Sequence, residues 1–309
     1  MPGISLRALT WNLFHGRDGL RGLGPTWAST LLRRPVEDGT HVHLNRKLTD
    51  LMARRIAAWA PDVCALQEVP TGGIRTLVNA TGMRAVWTTT GPLIGPARLR
   101  DALAARNPDL WRTLEGNANV LLVGPRLEVV EGGLRSRRLN PLRAIVRAAR
   151  DLRLSPRELA HYLPEPRRIV LARLRAPGGG DLVVGCVHCH NARHPEVGGQ
   201  EIALAAAIVR EAAGDDPAVL AGDLNARPDP AALVALAREG WHGATPDAGE
   251  GIDRILSRGL RVVDGPRIVP PSEREVTVSW DGLTRRLRLS DHDPVIATLA
   301  LDPPTGSAS

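Results

Sequence analysis

Six short stretches end or interrupt apolar runs with groups able to ligate cations or move protons. They are Asn12 in LTWN, Glu68 in ALQE, His188 in GCVHCHN, Asp223 and Asn225 in AGDLN, Asp253 in GIDRI, and Asp291 with His292 in LSDHDPV. Asp, Glu and Asn are poor strand formers and costly to bury alone. Any single one is equally well explained as a turn-capping side chain. Together, at strand ends spread over the whole chain, they argue for one shared cleft. Oxygen donors without thiolates favour Mg2+ or Mn2+ over zinc. No GxSxG motif supplies a serine nucleophile, so water is the expected nucleophile. No GxxxxGK loop followed by Ser or Thr is present, which argues against nucleoside-triphosphate motor chemistry.

The stretch GCVHCHN places Cys186, His188, Cys189 and His190 within five positions. In a strand, successive side chains alternate faces, so Cys186, His188 and His190 share one face and Cys189 takes the other. Four ligands cannot then converge on one metal. An HxHxDH zinc pattern fits only at its first two letters, because Ala192 and Arg193 fill the later places. Cys186 and Cys189 have no second CxxC pair, and a redox CxxC belongs at a helix start. The cysteines therefore read as buried structural residues, leaving one functional histidine, His188, at a strand end.

These residues need strands to carry them. Alternation predicts strands over residues 5–13, 63–67, 168–175, 182–188, 218–221, 252–256, 261–263 and 295–301. Residues 119–123 and 127–131 read as paired strands around Gly124–Pro125. Apolar stripes predict helices over 45–60 and 195–213, and a basic amphipathic helix followed by a second short helix within 140–162. Hairpins mixed with strand–helix–strand units suggest packed sheets covered by helices.

The chain has 309 residues, enough for a substantial core, with three cysteines and no membrane-length apolar run. The N-terminus lacks a basic segment followed by an apolar one, so a cytoplasmic protein without a signal peptide is expected. The formal net charge is +7, yet Lys47 is the only lysine. Arginine enrichment beside abundant Ala, Gly and Pro reads as compositional bias; it permits a phosphate-bearing partner without showing one. His15, His41 and His43 read as loop histidines and Arg254 as structural.

LTWN, ALQEV, VH, GDLN, IDRI and SDHDPV, in this order and spacing, resemble the endonuclease/exonuclease/phosphatase superfamily, the DNase I-like fold, from residue 5 to 301. The resemblance implies a four-layer α/β/β/α sandwich, two mainly antiparallel sheets packed face to face, with a site at one rim. It implies one domain over residues 1–302, with insertions near 22–43 and 135–166 and a disordered tail over 303–309. It further implies metal-dependent hydrolysis of phosphate esters with Mg2+ or Mn2+. Carried over, Asn12, Glu68 and Asp291 become metal-site residues. Asp223 orients or deprotonates the attacking water, with Asn225 beside it. Asp253 and His292 form a His–Asp pair, and His188 binds the phosphate, so that a metal and two imidazoles neutralise the reacting phosphorus. A phosphate ester is the expected substrate, nucleic acid a candidate partner and a monomer the expected state. Membrane association is not expected, although a phospholipid substrate stays open, as does a basic 140–162 helix lying against nucleic acid or anionic lipid.

Overall fold

The computed structural model describes residues 4–20, 27–91, 93, 95–111, 114–162, 166–178, 180–191, 195–225, 231–243 and 251–301. The expected tail lies outside the described residues. In chain order the strands are β1 (Ile4–Asn12), β2 (Val36–Glu37), β3 (Val42–His43), β4 (Val63–Pro70), β5 (Arg84–Thr89), β6 (Asn117–Val123), β7 (Glu128–Arg138) and β8 (Arg168–Arg175). They continue with β9 (Asp181–His188), β10 (Ala218–Asp223), β11 (Asp253–Arg258), β12 (Arg261–Ile268), β13 (Glu275–Trp280), β14 (Leu283–Arg288) and β15 (Val295–Leu301).

One sheet runs β12-β15-β1-β4-β6-β5 and the other β11-β10-β9-β8-β7, with two small hairpins, β2-β3 and β13-β14. Each large sheet has one parallel pair at its centre, β1 with β4 and β9 with β10; the other pairs are antiparallel. A parallel pair requires a crossover. The helices Thr49–Trp59 and Pro195–Ala213 lie in these two crossovers.

Three apolar clusters define four layers. Leu6, Ala8, Val63, Ala65, Val184, Cys186, Val219 and Ala221 pack between the sheets. Leu9, Trp11, Met52, Ile56, Trp59 and Leu66 join the first sheet to its helices. Val183, Val187, Ile202, Val209, Leu220 and Leu233 join the second sheet to Pro195–Ala213 and Ala231–Arg238. The fold is the four-layer sandwich. Each buried Val, Leu or Ile is worth roughly 1.5–3 kcal/mol, and a one-residue slip would expose every one of them. That fixes the parity of each strand, and with it the face on which any polar residue at its end must stand.

Two expectations need correcting. Residues 119–123 and 127–131 do not form a hairpin: β6 has β4 on one side and β5 on the other, while β7 pairs with β8. Both edges of β6 are taken, so at Gly124, whose N–H donates to the Asp62 carbonyl at 2.7 Å, the chain passes to the other sheet. The first long helix begins at Thr49 rather than residue 45. Asn45 is left-handed (φ 51°) and its side chain bonds Asn107 and the Asp109 N–H. Among the described residues no helix is long and apolar enough to cross a membrane.

Candidate active site

Strand parity brings the polar residues together. On β1, Leu6 and Ala8 face the other sheet, so Thr10 and Asn12 follow on that face. On β9 the series Leu182, Val184, Cys186 ends in His188, and on β10 Val219 and Ala221 end in Asp223. Asp223 is in register with His188 on one side and Asp253 on the other. Asn12, His188, Asp223 and Asp253 therefore stand inside the sandwich at one open end, all buried. Gly222 makes this register possible: a Cβ there would collide with the Val187 carbonyl oxygen.

Asp223 is the hub. Its Oδ2 accepts the Asn12 amide at 3.0 Å and lies 3.4 Å from His188 Nε2 and 3.7 Å from His292 Nε2. Its Oδ1 accepts the Asn225 N–H at 3.0 Å, and the Asn225 side-chain amide donates to the Cys189 carbonyl at 2.8 Å. Asp253 accepts from His292 Nδ1 at 2.7 Å, which orients the ring. Ser290 Oγ donates to the Asn12 carbonyl at 2.7 Å and accepts the His292 N–H at 3.1 Å, tying the 290–294 loop to β1. Trp11 Nε1 donates to the His292 carbonyl. Arg274 and Arg288 both pair with Asp293, so that loop is held from below as well.

Glu68 reaches the same end by a different route. Between Leu66–Val120 and Val69–Ala118 the β4 strand has two residues against one on β6, one extra residue, a bulge that re-aims side chains. Glu68 is left-handed (φ 50°) and His15 Nε2 lies 3.2 Å from its carboxylate. His15, read from sequence as a loop histidine, belongs to the site. His43 is corrected too: it is buried between Asp18 at 3.1 Å and Asp109 at 2.8 Å, where Arg17 also pairs, and this network anchors the loop after β1. His41 stays at the surface side of its hairpin, between Asp38 and Glu275.

The electrostatics separate the acids. Burial pushes Glu68 up, but His15, His188 and His292 and an Asn12 hydrogen bond outweigh it and hold Glu68 at about 2. Asp291 is raised to about 6 by burial and the Glu68 charge, against His292. Burial and Asp253 lift Asp223 to about 7, against His292 and its hydrogen bonds. Burial disfavours charge on His292, yet Asp253, Asp223 and Asp291 raise it to about 11. His188 moves the other way: burial and then Arg167 lower it well below the usual histidine range, against Glu68. His188 and His292 are thus pushed in opposite directions, the first by burial toward the neutral ring and the second by its carboxylates toward the cation. Arg167 had no signal in the sequence; it lies where β8 begins, one residue before Arg168, which β6 reaches through Asn119 Nδ2 at 2.7 Å.

The answer to GCVHCHN is geometric. Cys186 faces the inter-sheet core and Cys189 the helical layer, and all three cysteines are buried and free. Burial raises the Cys186 thiol to about 12 and Cys64 and Cys189 well above the usual range, which leaves them unsuited to metal or redox work. His190 is pinned to the long helix, its N–H and Nδ1 both on Glu201 at 2.8 and 2.7 Å. Asn117 and Asn119 each keep a buried side-chain oxygen without a partner among the described residues. Arg254 is buried on β11 and, next to Asp253 in the strand, takes the opposite face.

A cation fits the Glu68 side best. Glu68, Asp291 and Asn12 offer only oxygens, Glu68 is ionised, and Asp291 is raised partly by that charge, a repulsion a divalent ion would relieve. Asn12 Oδ1 takes the Phe14 N–H at 2.9 Å, leaving its second lone pair. Asp223, Asp253 and His292 also bring ligand atoms within 4.8 Å of one another. There, however, a cation would have to displace the proton that Asp253, Asp223 and Asp291 favour on His292.

Comparison with known proteins supports the fold. No curated protein matches the sequence. A solved endonuclease/exonuclease/phosphatase family protein of Bacteroides thetaiotaomicron is similar with a TM-score of 0.62 at 14% identity, covering 97% of this chain and 99% of that one. The mannosyl-6-phosphatase Bt3783 of the same organism has a TM-score of 0.60 at 13% identity, covering 95% and 99%. The human Nocturnin catalytic domain with bound sulfate has 0.58 at 14% identity, covering 96% and 94%. The family model described as the Endonuclease/Exonuclease/phosphatase family matches residues 9–292, which span all of these site residues. The chain belongs to the endonuclease/exonuclease/phosphatase family.

Proposed function

We propose that the protein is a divalent-metal-dependent hydrolase of phosphate esters that attacks diesters with an activated water. The observation that carries this reading is the position of Asp223. One of its oxygens meets Asn12, and through it Glu68, as well as the His292–Asp253 pair. Asp223 accepts the proton of the attacking water; a carboxylate raised to about 7 is a far better base than an ordinary one. His292, held as a cation by Asp253, donates Nε2–H to the phosphoryl group as charge builds on it. Neutral His188 adds a single N–H donor beside Asp223. Glu68, Asn12 and Asp291 would hold Mg2+ or Mn2+, which supplies Lewis-acid polarisation of a phosphoryl oxygen.

A fold-sharing module without catalysis is the rival reading, and the filled and ionised set of polar groups argues against it. A monoester-specific phosphatase is the other; a mannosyl-6-phosphatase shares the fold. Hydrolysis of bis-p-nitrophenyl phosphate and of p-nitrophenyl phosphate, with Mg2+, Mn2+ or EDTA, tests all three. The reading predicts metal-dependent cleavage of the diester, abolished by EDTA. Cleavage of the monoester alone, metal-independent cleavage, or inertness toward both would contradict it.

A further inference from the structure

The positive charge of the chain is concentrated in one segment. Residues 135–162 hold eight arginines and two acids, whereas the rest of the chain sets 32 basic residues against 31 acids. Compositional bias raises arginine everywhere; it does not leave the excess in one insertion. All eight arginines are exposed. Arg143 and Arg147, on the helix Leu142–Asp151, have no ion-pair partner among the described residues.

The same helix covers a cavity. Ile145 and Ala148 point inward, and between this helix and Pro195–Ala213 lies a space of about 340 Å³, within the size range of small-molecule sites. Its walls include Ile145, Leu154, Val197 and Leu204, its rim Arg143 and Arg147, and its floor His190, two residues beyond His188. The only ring among the described lining residues is the His190 imidazole, which Glu201 holds, so a nucleobase has no Phe, Tyr or Trp to stack on. On the outward side Leu142 is 63% and Val146 58% exposed, one helical turn apart and flanked by arginines. A solvated basic face has no use for this apolar pair, whereas a helix lying in an anionic interface requires both features.

We propose that the cavity is a subsite for the aliphatic part of an anionic amphiphile, and that Leu142–Asp151 rests on the anionic lipid surface from which that amphiphile is drawn. The reading builds on the proposed hydrolase, since it gives that enzyme's phosphate-ester substrate an aliphatic chain, held on the helical side of β9 where His190 lines the cavity. It departs from the sequence expectation of no membrane association.

Co-sedimentation with phosphatidylcholine vesicles, with and without phosphatidylglycerol, tests the surface. Wild type binds only the anionic vesicles. Arg143→Gln with Arg147→Gln weakens that binding about thirtyfold, and Leu142→Asp with Val146→Asp weakens it at least about tenfold. Turnover of bis-p-nitrophenyl phosphate stays unchanged in both. Calorimetric titration with decyl phosphate against inorganic phosphate tests the cavity: the decyl compound binds tighter, and Leu204→Trp, which fills a partly exposed wall, removes the difference. The inference falls if the Leu142/Val146 variant binds anionic vesicles like wild type, if a DNA duplex binds in their place independently of those two residues, or if decyl chain and Leu204→Trp make no difference. Lipid binding that behaves as expected beside an inert diester assay would instead overturn the hydrolase reading and leave this one standing.

Discussion

His188, Asp223 and Asp253 stand on three adjacent strands in unbroken register, whereas Glu68, His15 and Phe14, on the other side of Asn12, all sit in left-handed backbone. The first group is placed by what strands do unaided: alternation puts each side chain on the inter-sheet face. The second is placed against local preference, since a non-glycine residue in that region costs roughly 1–3 kcal/mol. It persists because the bulge in β4 and the Asp18–His43–Asp109–Arg17 network over-determine it. The proton-accepting Asp223 and its neighbours His188 and Asp253 thus sit on regular strands, and Glu68 sits where the backbone departs from them, while Asn12 closes β1 and the 290–294 loop brings Asp291 and His292.

The largest effects should come from the proton-handling groups. Asp223→Asn and His292→Ala should each cut turnover of a responsive diester about a thousandfold or more, while denaturation leaves the unfolding midpoint close to wild type. Either variant keeping wild-type turnover removes that residue from the mechanism. The pH profile sharpens the assignment. Asp223, raised to about 7, must be ionised to accept a proton, so the rate falls as pH drops through that value. His292, raised to about 11, keeps its proton to the alkaline side, so no second limb appears near neutrality. Asp253→Asn removes the charge that holds the proton and should bring an alkaline limb inward; an unchanged profile would break the pairing.

A smaller effect tests how the two halves are joined. Asp293→Ala leaves Arg274 and Arg288 without their shared partner and should cost about 2–3 kcal/mol in urea unfolding. It should also lower turnover by less than Asp223→Asn does, because the 290–294 loop only loosens. No loss of stability would mean that the arginine pair does not support the loop.

The same contrast explains what could be read from sequence. Asn12, His188 and Asp223 were legible because each closes an apolar strand, and Asp253 because it opens one, with parity that the core enforces. Glu68 was legible as a carboxylate at a strand end, but the bulge that re-aims it has no signature in ALQEVP. His15 and His43 look alike in sequence, each in a polar loop; only the fold brings the first to Glu68 and buries the second between two acids. The β13-β14 hairpin carried a readable turn, Asp281–Gly282, with both residues left-handed, and it supplies Arg288 beneath the site loop. Arg167 was invisible because its effect on His188 depends on β8 and β9 being neighbours.

The central claim is that the cation belongs to the Glu68 half and the proton to the His292 half. Calorimetric titration with Mg2+ of wild type, Glu68→Gln and Asp253→Asn tests it most directly. The account predicts that Glu68→Gln loses Mg2+ binding while Asp253→Asn retains it. Retained binding in Glu68→Gln with loss in Asp253→Asn would place the metal among Asp223, Asp253 and His292 and contradict the account.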